Sequence, residues 1–108
     1  MSQDTNNGLT VIQQQLKELD QIFQETMETL NTVSGMERVA KWKARTVTLL
    51  TQAVGQQAGQ EFARVQPGPS FTNDMVEEFT DFIECFRTPL ATLGKTLSKA
   101  GPRPSGGG

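Results

Sequence analysis

The sequence contains no histidine and no tyrosine, which removes the commonest general base, the commonest metal ligand and the phenolic acid from its catalytic repertoire. Most enzyme classes are disfavoured, and the chain reads as non-enzymatic. Its single cysteine, Cys85, has no second thiol in the chain to pair with, and one thiol without histidine does not make a zinc site. As a nucleophile Cys85 stands among Glu78, Asp81 and Glu84, and negative neighbours raise a thiol pKa. It reads as a partly buried helix thiol. No apolar run approaches the roughly 18 residues that cross a bilayer, and the opening MSQDTNNG lacks the basic and apolar blocks of a secretory leader. A cytoplasmic protein without membrane contact is expected. The chain also lacks a Gly-rich phosphate loop, a recognition-helix signature and an aromatic stacking platform, so no cofactor is expected.

What is present fits one globular domain. The 108 residues suffice for a single core. The 35% hydrophobic content supports folding, and 20% charged residues is below the density of a disordered chain. Ten basic residues against twelve acidic ones give a net charge of −2, so no global positive field draws the chain to nucleic acid. The charges alternate in blocks: residues 1–33 carry five acids and one base, 34–66 two and five, 67–88 five and one, and 89–108 three bases alone.

Leu9, Ile12, Leu16, Leu19, Phe23, Leu30 and Val33 follow the three-four alternation of an amphipathic helix, broken only at Thr26. The flanking Gln13, Gln15, Asp20 and Thr29 do not supply the paired Glu and Lys of a specified coiled coil, so an intramolecular bundle is the expected use. Ser34-Gly35-Met36-Glu37 has capping-box spacing and predicts the start of a second helix. Val39, Trp42, Thr46, Leu49, Leu50 and Ala53 line its apolar face, and Gly55 closes it. Ala58, Phe62 and Val65 predict a further helical turn or two, loosened by Gly59. Gln66-Pro67-Gly68-Pro69-Ser70 is a breaker, and Thr72 or Asn73 is positioned to cap a third long helix. That helix carries Val76, Phe79, Ile83, Phe86, Leu90, Leu93 and Leu97 on one face, with a kink or break expected at Pro89.

The expectation is therefore all-α: an antiparallel three-helix bundle over residues 1–100, a short extra helix between the second and third helices, and a disordered Gly/Pro/Ser tail over 101–108. Trp42, the only tryptophan, lies in the apolar arc of the second helix and reads as a core anchor whose indole N–H finds a partner.

Three surface features compete for function. Ile22, Met27, Met75 and Phe82 lie at the margins of the apolar stripes, and margin hydrophobes left exposed form a protein-binding patch. Arg38, Lys41, Lys43 and Arg45 form a basic set. In an antiparallel arrangement Arg87, Lys95, Lys99 and Arg103 join it at one pole, which would suit a subunit of a nucleoprotein assembly. Asp74, Glu77, Glu78, Asp81 and Glu84 form an acidic patch, weighed as a divalent-cation site, as a solvated face and as the contact of an inhibitor or immunity-type protein. The leading reading is a small interaction module, acting on a protein partner or on copies of itself.

The stretch Gly35 to Phe62 reads G-x-x-x-V-x-x-W-K-x-R-T-x-x-L-L-x-x-x-V-G-x-x-x-x-x-x-F, with Trp42, Arg45, Thr46, Leu49, Leu50, Gly55 and Phe62 at the marked places. It resembles a helical segment that recurs in bacterial multidomain proteins of antiphage conflict systems, where small helical modules serve as adaptors beside effector domains. The likeness covers about a quarter of the chain. It implies an adaptor or oligomerisation module in bacterial defence.

Overall fold

The computed structural model describes residues 3–68 and 73–100. They form four helices: α1 (Gln3–Thr29), α2 (Thr32–Ala53), α3 (Gln56–Ala63) and α4 (Met75–Ala100), with no strand among the described residues. The fold is all-α. The 27 residues of α1, at a rise of about 1.5 Å each, account for most of the long axis of a 51 × 22 × 22 Å molecule.

Close approaches at glycine fix the direction of each helix. A Cβ on Gly8 would lie 3.0 Å from Val54 and 3.2 Å from Leu97, so the ends of α2 and α4 flank the start of α1. A Cβ on Gly35 would lie 2.7 Å from Thr26 Cγ2 and 2.9 Å from Phe79 Cζ, so the starts of α2 and α4 flank the end of α1. Both α2 and α4 therefore run antiparallel to α1 and parallel to each other. The start of α2 was expected beside the end of the last long helix, and it lies beside that helix's start. The reason is α3, which turns back along α2 and returns the chain toward the end where α2 began.

Several boundaries move for local reasons. Helix α1 stops at Thr29, because Leu30 adopts a left-handed conformation with φ 58° and Asn31 opens the next helix. Asn31 Oδ1 accepts from the Ser34 N–H at 3.1 Å, so Asn31 is the cap, and Ser34 lies one turn inside α2. Leu30 and Val33, expected on the buried stripe, consequently face solvent, while Thr26, the apparent break in that stripe, is buried. Gly55 follows the C-cap Val54 and has φ 148°, a region that only glycine enters without strain. Helix α4 is capped by Asp74, whose Oδ1 accepts from Val76 at 2.9 Å and Glu77 at 3.1 Å. Of the two expected caps, Asn73 lies outside the helix and Thr72 falls outside the described residues, as does the tail 101–108. Pro89 lies inside one continuous helix, so the expected break is absent. Gly59 does not loosen α3. It is buried, and an added Cβ would collide with the Thr51 hydroxyl and lie 3.2 Å from the Val47 carbonyl, so its missing side chain is what lets α3 sit on α2.

The core joins Ile12, Leu19 and Ile22 of α1 with Val39, Trp42 and Leu50 of α2, Phe62 of α3, and Phe79, Ile83, Phe86 and Leu90 of α4. Trp42 is 0% exposed and meets Phe62 and Phe86 edge-to-face at 5.8 and 6.4 Å. Its indole N–H donates to the Gln15 carbonyl at 2.9 Å. The Gln15 side-chain amide donates to the Thr46 hydroxyl, and that hydroxyl donates to the Trp42 carbonyl, each at 2.8 Å. Gln15, expected on the solvent flank, is thus buried in a closed polar loop that sets the register of α2 against α1.

Candidate functional site

Most of the basic set is committed within the fold. Arg38 reaches Glu25 at 2.8 Å and Arg45 reaches Glu18 at 2.9 Å, both pairs bridging α2 to α1. The Lys43 ammonium donates to the Val65 carbonyl at 2.6 Å and lies 5.3 Å from the Phe86 ring centroid, so it ties the end of α3 to α4. Lys41 alone of the four makes neither an ion pair nor a side-chain hydrogen bond among the described residues, and it lines an open α1–α2 cleft with Glu18, Gln21, Ile22, Arg38 and Arg45. Arg87 pairs with Asp20 and, at 3.5 Å, with Glu84. Lys95 and Lys99 lie on the last turns of α4, at the end opposite the start of α2. The basic pole expected from Arg38 together with Lys95 and Lys99 is therefore not assembled.

The acids follow α4. Asp74 caps it, Glu77 and Glu78 occupy its first turn, and Asp81 and Glu84 continue along it. No three acids or cysteines converge on a point among the described residues. Cys85 is half-buried. Burial pushes its thiol above the usual range, opposed by the nearby Lys43 charge; the acidic neighbours that the sequence suggested are not the cause. No helix among the described residues is long and apolar enough to cross a membrane.

The four margin hydrophobes separate. Ile22 belongs to the core, so its expected place in an exposed patch is corrected. Met27 and Phe82 are half-buried and packed against the core. Met75 is 56% exposed. It has company that the sequence did not single out: Leu30 at 58%, Val33 at 69% and Val76 at 42% are the other large hydrophobics exposed among the described residues. All four lie at one end of the molecule. Leu30 lies in the α1–α2 turn and Val33 in the first turn of α2, while Met75 and Val76 are the first two residues of α4, one turn before Phe79, which approaches Gly35 of that hairpin.

Leu30 and Val33 are exposed because they stand at and just after the α1–α2 turn, and Met75 and Val76 because they form the first turn of α4, ahead of the buried stripe Phe79, Ile83, Phe86 and Leu90. A sequence signal existed: Asn31 is as good a cap as Ser34, and capping at Asn31 puts Leu30 in the turn and Val33 in the first turn of α2.

No family model, curated protein or solved structure matches the chain. Within the Gly35–Phe62 stretch, Trp42, Thr46, Leu50 and Phe62 are buried and Gly55 makes the α2–α3 turn, so the pattern there is largely architectural.

Proposed function

We propose that the protein is a small non-enzymatic interaction module, a bundle of three long helices braced by α3, whose working surface is the open apolar end formed by Leu30, Val33, Met75 and Val76. The observation that carries this reading is the concentration of every exposed large hydrophobic among the described residues at a single end. Scattered surface hydrophobes are ordinary, whereas a grouped set marks a contact surface. Leu30 adds to it. A non-glycine residue with φ 58° stands where glycine or asparagine is usual, and its side chain contributes nothing to the core. The resemblance to adaptor segments of bacterial defence proteins agrees in kind, and a defence role is part of the proposal.

The test compares wild-type protein with the pair Val33→Glu and Met75→Glu as baits in host extract, with the fold checked by circular dichroism. A partner retained by the wild type and lost from the folded double variant supports the proposal. Identical partner sets, or none from either bait, contradict it.

A further inference from the structure

The open end is rimmed by charge of one sign. Glu28 precedes the α1–α2 turn, Glu37 lies one helical turn after Val33, and Glu77 and Glu78 directly follow Met75 and Val76. Arg38, which follows Glu37 in the sequence, is held by Glu25 at 2.8 Å, so it does not neutralise this rim. An apolar surface with a carboxylate rim is complementary to an apolar surface flanked by lysine or arginine, and like-charged partners are repelled.

A second copy of the chain does not supply that complement. Two open ends placed together bring Glu28, Glu37, Glu77 and Glu78 opposite their own counterparts. Of the exposed cations without an ion pair, Lys95 and Lys99 lie at the far end and Lys17, Lys41 and Arg64 along the length of the bundle, where no large hydrophobic is exposed among the described residues. Arg38, Arg45 and Arg87 are ion-paired within the fold.

We infer that the open end docks a basic amphipathic helix of a protein partner, its apolar stripe on Leu30, Val33, Met75 and Val76 and its flanking cations on Glu28, Glu37, Glu77 and Glu78. This rests on the open end being the working surface and adds the chemistry of what it receives. Apolar anchors in such a helix recur at i, i+3, i+4 and i+7, and the charged flanks select for it and speed its arrival.

The probe is a fluorescently labelled synthetic Leu/Lys amphipathic helix, titrated into the full chain by anisotropy, with the Leu/Glu helix of the same apolar pattern as its counterpart. The Leu/Lys helix is expected to bind, and the Leu/Glu helix is not. Removing two anchors in Val33→Ser with Met75→Ser is expected to weaken binding about tenfold or more. Neutralising the rim in Glu37→Gln with Glu77→Gln is expected to weaken it severalfold, with most of that loss reproduced in the wild type by raising salt to about 0.5 M. The equal charge change in Glu61→Gln with Glu84→Gln, away from the open end, is expected to leave binding unchanged. If the rim variant binds like wild type while the anchor variant does not, the surface stands and its basic partner is rejected. If neither variant matters, or the distal pair matters as much, the surface itself is rejected. A dimer in light scattering that Val33→Ser with Met75→Ser dissolves assigns the end to a second copy and overturns the inference.

Discussion

Trp42 serves at once as the largest side chain of the core and as a donor across the α1–α2 interface. Trp42→Ala is expected to cost about 3–5 kcal/mol, the range for deleting a large buried aromatic. Urea denaturation followed by circular dichroism measures it, and an unchanged midpoint would remove Trp42 from the core. Leu30 carries the opposite expectation. Relief of its positive φ is set against the greater unfolded-state freedom of glycine, so Leu30→Gly leaves stability unchanged or raises it by up to about 1 kcal/mol. A clear loss in the same experiment would show that the Leu30 side chain packs. At Cys85, burial raises the thiol pKa and thiolate is the reactive form, so alkylation by iodoacetamide near neutral pH is expected to be slower in the folded protein than in denaturant. Equal rates would contradict that. Glu25 titrates in the other direction. Hydrogen bonds from Gln21 and from Arg38 hold its carboxyl below the usual value of 4.5, so its contribution to stability is present above that value and is lost as pH falls through the lower folded-state pKa. The stability gap between wild type and Glu25→Gln is therefore expected to be present near pH 6 and to shrink near pH 3; a gap that widens in acid would reverse the sign.

The helices show where pattern alone suffices and where it does not. Apolar periodicity located the three long helices and the short α3, because each buries a stripe and the stripe is written in the residue spacing. It also marked Trp42, Val39, Leu50, Phe62, Phe79, Ile83, Phe86 and Leu90, all of which are buried. It failed where two local devices compete. Asn31 and Ser34 are both sound caps, and choosing the later one placed Leu30 and Val33 on a helix face they do not occupy. It failed again where a polar residue is satisfied inside: Gln15 looks like a surface residue until its side-chain amide is seen to donate to the buried Thr46 hydroxyl. Helix direction was out of reach for a third reason, since α3 provides the return leg and no residue pattern states how far a short helix carries the chain. That helix is also the element most sensitive to one methyl group. Gly59→Ala inserts a Cβ against Thr51 and Val47 and is expected to cost about 1–3 kcal/mol, the usual range for overpacking. Denaturation midpoints would show it, with loss of Lys43–Val65 contact as the local consequence, and a neutral substitution would mean that α3 does not dock so closely.

Over the whole molecule, the two ends differ in chemistry. One presents exposed apolar residues within an acidic rim, and the other presents Lys95 and Lys99 with no exposed large hydrophobic among the described residues. The middle is closed by ion pairs from α1 to α2 and to α4 that engage Arg38, Arg45 and Arg87. This distribution moves interest from the α2 face, where the basic residues suggested nucleic acid, to the end of the bundle. A photo-crosslinking amino acid placed at Val33, against the same group at the distal, exposed Gln52, decides whether that end is in use in the host cell. A crosslinked adduct formed from Val33 and not from Gln52 is the expected outcome, whereas an adduct only from Gln52, or none from Val33, would contradict the open end as the working surface.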